Sequence, residues 1–182
     1  MTVTGAVGRL ICLRASAEIA RDEEIVVISS QAILGQFPDA PVSLRASVEA
    51  DLYPRNHPER ADLIDGSIGE LSPFHRQYGY YAQGVGPETA VLPEGWEQRL
   101  VHVSGERTRG VTGLCLEVHD LVVSKAVVGR EKDRCFVREA IRHGLVDRDT
   151  LLDRLARTAM DAATRGRLRV RLEADFREVT RG

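Results

Sequence analysis

The chain has 182 residues, a formal net charge of −2, 43% apolar and 29% charged side chains. These proportions belong to an ordinary globular protein and exclude collagen-like, fibrous and wholly disordered chains. No apolar run approaches the roughly 20 residues needed to span a bilayer, and the opening MTVTGAVGRLICLRASAEIARDEE has no basic segment leading into an apolar stretch, so neither a membrane anchor nor a signal peptide is expected.

Three widely spaced cysteines, Cys12, Cys115 and Cys135, form no C-x-x-C pair. That argues against a disulfide framework or zinc ribbon and for free thiols in a cytoplasmic protein. Charge is unevenly spread: residues 1–133 carry 13 basic and 19 acidic side chains, residues 134–182 carry 12 arginines and 8 acids. A basic arm on an acidic body suits a phosphate backbone, although a solvated amphipathic helix has the same composition.

In chain order, residues 4–21 repeat apolar positions near a period of 3.6 and predict a helix. EIVVIS at 24–29 is a short β-branched run that predicts a buried central strand. QAILGQF then predicts a short helix capped by Ser29 or Ser30. After the loop at Pro38 and Pro41, VSLRASVEADLYP alternates in period two and predicts a strand ended by Pro54. Residues 58–78 predict helices broken near Ser72-Pro73. Strands are expected at 78–85, 99–104 and 113–118. Helices are expected at 119–129, stopped by Gly129, at 131–143, stopped by Gly144, and at 149–163, with a further one in the basic tail from about 166.

Three elements carry chemistry. Glu49 and Asp51, two apart on a strand, point to one face with Cα atoms about 6–7 Å apart. Two carboxylates so placed can hold Mg²⁺, although the solvent face of an edge strand looks the same. The Ser29-Ser30 turn presents backbone N–H groups and hydroxyls to an anion, or simply caps a helix. SKAVVGREKDR at 124–134 offers Lys125, Arg130 and Lys132 to phosphate oxygens, with Asp133 orienting one of them or acting as base. Lys125 reads as an outward-reaching side chain whose removal would cost about 0.5 kcal/mol in stability. In FHRQYGYY, His75, Tyr80 and Tyr81 could stack a base or form an aromatic core.

Together ISSQAILG, SVEADLYP and HDLVVSKAVVGREKD resemble the nucleotidyltransferase signature of the DNA polymerase β superfamily, in particular the minimal AbiEii/MenT-like toxins. They are also similar to an allied bacterial domain family without assigned function, which shares FHRQYGYYAQGV and LPEGWEQRLV as well. The resemblance covers residues 25 to about 150. Two positions depart from it: Ser29-Ser30 stands where the superfamily has Gly-Ser, and Glu49 where it has the first acid of Asp-x-Asp. The resemblance implies a third acid, for which Glu117 is the candidate and Asp120 the runner-up, unless Asp120 caps the following helix.

The expected fold is α/β (α+β): a nucleotidyltransferase-like mixed sheet flanked by helices. Residues 1–150 would form that domain, and 151–182 a helical, arginine-rich extension. The resemblance implies Mg²⁺-dependent transfer of NMP from an NTP to an acceptor hydroxyl. Catalysis would rest on Asp51, Glu49, Lys125 and Asp133, nucleotide binding on Ser29, Ser30, Arg130 and Lys132, and the metal on Glu49, Asp51 and Glu117. It further implies RNA as acceptor, with tRNA 3′ ends the specific expectation, and a cognate antitoxin as partner. The alternative is an inactive nucleotide-binding or protein-interaction module of the same fold.

Overall fold

The computed structural model describes residues 5–181. It is a mixed α/β structure whose residues group into two compact units. One comprises the described residues up to Thr89 together with Leu100–Leu116; the other comprises Ala90–Arg99 and the residues from Glu117 onward.

The first unit is built on a sheet of β1 (Glu24–Val27), β2 (Glu49–Pro54), β3 (Tyr81–Gly84), β4 (Val101–Val103) and β5 (Thr112–Cys115). The strand order is β3-β2-β1-β5-β4. β1 runs antiparallel to β2 and parallel to β5; β2 and β3 are parallel, β4 and β5 antiparallel. The central position of β1 explains its composition. Ile25, Val26 and Val27 are all 1% exposed or less, because both faces are covered and no polar alternation is tolerated.

Helices α1 (Gly5–Ala20) and α3 (Ala61–Ile68) pack on each other and on the sheet, and α4 (Pro73–Tyr78) follows α3. Gly84 permits this packing: a Cβ there would lie 1.8 Å from the Ala61 carbonyl oxygen. Ser72 caps α4 by accepting the His75 N–H at 3.1 Å, the break expected at Ser72-Pro73. Asp22, 5% exposed, ties the end of α1 to the segment after β2. It accepts N–H groups from Glu24, from Asn56 twice and from His57 at 2.7–3.1 Å.

In this unit the expected strand before Pro54 and the expected helix after β1 differ. The strand expected at 42–54 is paired only from Glu49, since Val42–Leu44 is a 3₁₀ turn that buries Leu44, and Ala46 and Val48 are exposed. The short helix after β1 is a 3₁₀ turn, Ser30–Ala32, leading into α2 (Ile33–Gln36). Its cap is the Ser29 carbonyl rather than a serine hydroxyl.

The second unit is helical: α5 (Val118–Val128), α6 (Glu131–Arg142), α7 (Arg148–Ala156) and α8 (Ala162–Arg181). Gly129, at φ 67°, ends α5 as anticipated, since only glycine enters that left-handed conformation without cost. Its core includes Leu121, Phe136, Ile141, Leu151, Leu155, Leu168 and Leu172. α7 packs on α5, and α8 on α6 and α7, so Leu151, Leu155, Leu168 and Leu172 share a core with the helices before them. The helix expected at 149–163 stops at Ala156, because Thr158 bridges to Pro93 and the Arg157 carbonyl accepts the Glu94 N–H. No described helix is long and apolar enough to cross a membrane.

Candidate functional site

In the first unit the antiparallel register of β1 and β2 pairs Val27 with Leu52, and the Ile28 N–H donates to the Asp51 carbonyl at 3.0 Å. The Ser29-Ser30 turn therefore leaves β1 alongside the Glu49 end of β2. Gln31 fastens it there, its side-chain amide donating to the Ser47 carbonyl. Glu49 and Asp51 are both half-buried, while Ala50 and Leu52 between and beyond them point into the core. The pleat thus puts the two carboxylates on one face, as their spacing requires.

Ser29 is 3% exposed, and neither its hydroxyl nor the side-chain carbonyl of Gln31 has a hydrogen-bond partner among the described residues. The following helix has only four residues, so its dipole adds little; an anion here would be held by the hydroxyls and the turn's own N–H groups.

On the far side of β2, the parallel register places Tyr81 opposite Glu49 and Gln83 opposite Asp51. Tyr81 and Gln83 therefore share the carboxylate face. Partial burial raises the Tyr81 phenol above its ordinary range, and the charges of Glu49, Glu70 and Asp51 raise it further. The His75 ring packs against Tyr81 with centroids 4.7 Å apart and planes tilted by 48°. Among the described residues no three His, Cys, Asp or Glu side chains converge to hold a metal ion. Two carboxylates are nonetheless a sufficient protein share for Mg²⁺, which completes its shell with water and substrate phosphate oxygens. Glu49 and Asp51 fit that demand.

The second unit holds the remaining candidates. Asp133 is 1% exposed and takes Lys125 Nζ at 3.3 Å on one oxygen and Arg130 Nε at 2.8 Å on the other. Burial alone would raise its carboxyl. The Arg130 hydrogen bond and the Lys125 charge outweigh that and hold it below the usual carboxylate range. A carboxylate so stabilised is a poor base and a good anchor. It fixes Lys125, which is 14% exposed rather than free on the surface. Lys132 lies exposed on the first turn of α6.

The cap of α5 is Glu117 and not Asp120: Glu117 accepts the His119 N–H at 3.0 Å and contacts His119 Nδ1 at 2.7 Å. Both of its oxygens are thereby engaged. Burial would raise its carboxyl, but the bonds from His119 bring it below its ordinary value. Asp120, fully buried, pairs with Arg99 at 2.8 Å and Arg154 at 3.5 Å. Burial pushes its carboxyl up, and Arg99 offsets only part of that. Sequence reasoning missed Gln31 and Glu70, which no spacing rule singles out, because their roles depend on chain neighbours brought close by the sheet.

A family model described as "Nucleotidyltransferase of unknown function" (DUF6036) matches residues 10–181. The match takes in most of α1 and the arginine-rich α8, beyond the span of the motif resemblance. No match was found among curated proteins or among solved structures.

Proposed function

This chain belongs to a nucleotidyltransferase family of unknown function, and from that premise we propose that it transfers a nucleoside monophosphate from an NTP to an acceptor hydroxyl. The observation that carries the proposal is the Ser29-Ser30 turn beside Glu49 and Asp51. The turn leaves β1 beside the end of β2 that carries two half-buried carboxylates on one sheet face, and the buried Ser29 hydroxyl within it has no hydrogen-bond partner among the described residues.

In this proposal Ser29 and Ser30 hold phosphate oxygens of the NTP. Glu49 and Asp51 would hold Mg²⁺, which when bound supplies charge neutralisation for in-line displacement. The acceptor hydroxyl gives up its proton to solvent as its oxygen forms a bond to the α-phosphorus, the bond from α-phosphorus to the bridging oxygen breaks, and pyrophosphate leaves with that electron pair. Lys125 and Arg130 neutralise charge on the phosphates, Lys132 contributes a further cation, and Asp133 positions Lys125. Glu117 has no part in this reading, since its carboxylate is spent on the helix cap.

The acceptor is RNA, with tRNA 3′ ends as the specific expectation and a cognate antitoxin as the partner of such a toxin. Exposed arginines of α8, among them Arg167, Arg171 and Arg177, support an RNA acceptor. Incubation with Mg²⁺, each labelled NTP and total RNA or candidate proteins tests the proposal. Label transfer in at least one combination is expected, and its absence in all of them would count against transfer.

One observation favours the second reading, a binding module without chemistry. Ser29 adds a buried side chain where the superfamily motif has glycine, narrowing the approach to phosphate. Calorimetry with Mg²⁺ and NTP separates the two: binding without turnover would support the module.

A further inference from the structure

The α4–β3 segment carries an aromatic cluster that the transfer reading leaves without a role. Of the four tyrosines and four phenylalanines, only Tyr53 and Phe136 are buried in the core. Four others, Phe74, Tyr78, Tyr80 and Tyr81, fall within eight consecutive residues and none is buried. The Phe74 and Tyr78 rings, and the His75 and Tyr81 rings, meet with centroids 4.7 Å apart, tilted by 52° and 48°. His75 Nδ1 accepts the Leu71 N–H at 3.2 Å, which places the proton of the neutral ring on Nε2 and leaves a donor edge. Leu71 itself is held at φ 63°, a conformation a leucine rarely adopts, and is 76% exposed.

This cluster is placed by the sheet. The Ser29-Ser30 turn follows β1, the carboxylates lie on β2 and Tyr81 on β3, directly opposite Glu49. Neighbouring strands are about 4.8 Å apart, so Tyr81 stands about 10 Å across the sheet from the turn, on the scale of the span from the outer phosphates to the nucleoside of an NTP. The charges of Glu49, Asp51 and Glu70 all act on the Tyr81 ring. At the ring itself, away from the cation that Glu49 and Asp51 would hold, this field disfavours phosphate and leaves the neutral, flat end of a nucleotide as the fitting occupant.

We infer that the His75–Tyr81 pair is a nucleobase platform, on which a base stacks with its sugar–phosphate directed toward Glu49 and Asp51. The inference rests on the transfer reading above and names what its site recognises. The base can come from the incoming NTP or from the 3′ end of an RNA acceptor.

Calorimetry with the full chain separates these sources and the platform from its alternatives. The probes are Mg²⁺–ATP, Mg²⁺–ribose 5-triphosphate, an oligoribonucleotide ending in adenosine, and the same oligonucleotide ending in an abasic ribose. Tyr81→Ala is expected to weaken one base-bearing probe about tenfold, the scale of one base–aromatic stack, and to leave its baseless counterpart unchanged. Tyr81→Phe, which keeps the ring, is expected to restore binding. Selective loss on ATP assigns the platform to the incoming nucleotide; selective loss on the adenosine-ended oligonucleotide assigns it to the acceptor. If the wild-type chain binds these probes but Tyr81→Ala and His75→Ala affect neither pair, or weaken base-bearing and baseless probes alike while melting as the wild type does, the platform is overturned and the transfer reading stands. If the wild type binds neither triphosphate and neither oligonucleotide, both fall.

Discussion

The Lys125 ammonium lies 3.3 Å from the Asp133 carboxylate, and that carboxylate is only 1% exposed. Removing the carboxylate strands a mostly buried ammonium without its counter-charge. Asp133→Asn should therefore destabilise the protein by about 3 kcal/mol, more than any exposed ion pair is worth. Lys125→Ala should cost about 1–2 kcal/mol, above the surface value expected from sequence, because Arg130 still accompanies the buried acid. Chemical denaturation of both variants measures the two losses.

The same carboxylate predicts a pH dependence. Its folded-state pKa is lowered, so its contribution is present above the unfolded value of about 4 and is lost as pH falls through the folded value. Asp22 is shifted in the same direction, its four N–H bonds outweighing a burial effect that would raise it. The wild-type melting temperature should fall as pH drops below about 4. The gap between wild type and Asp133→Asn should narrow over the same range, in scanning calorimetry at stepped pH.

Gly84→Ala should be among the most damaging single-methyl changes. The added Cβ would meet the Ala61 backbone carbonyl at 1.8 Å, so α3 must lift off β3. A loss of about 3 kcal/mol is expected, read by denaturant midpoint. Gly66→Ala in the same helix, where a Cβ meets nothing within 4 Å, should be neutral or stabilising.

For the tail, Arg169 is held by Glu173 at 3.2 Å, whereas Arg171 and Arg177 lie exposed on α8. Replacing Arg171 and Arg177 by Gln should weaken RNA binding. The salt slope of log affinity should shrink by about 0.7 for each phosphate of a single-stranded RNA that the protein no longer neutralises. Anisotropy titrations across salt concentrations check this, and an unchanged slope would remove α8 from the acceptor site.

What the sequence reveals and what it hides divides along the range of the interactions. β1 is legible because a β-branched run admits no other economical burial. The acid pair is legible because period two is a property of the strand alone. The break at Ser72-Pro73 and the stop at Gly129 follow from local backbone chemistry. The premature end of α7 is not legible, since it depends on Thr158 meeting Pro93, 65 positions earlier. Nor is the burial of Asp120, since Arg99 and Arg154 come to it from distant segments while Glu117 caps α5. The strand expected from 42 is cut short because Leu44 is buried by a turn, a burial that alternation alone cannot distinguish from a strand's.

The most direct measurement of the central claim is Mg²⁺-dependent transfer of label from α-labelled NTP to RNA by the wild type, Asp51→Asn and Lys125→Ala, each first shown to be folded. Transfer by the wild type is predicted, with loss of at least about 100-fold in both variants, the scale expected when a metal ligand or a cation positioned on the phosphates is removed. Asp51→Asn should meanwhile melt at or above the wild-type temperature, because it relieves repulsion with Glu49. Full transfer activity retained by both variants would contradict the assignment of the site.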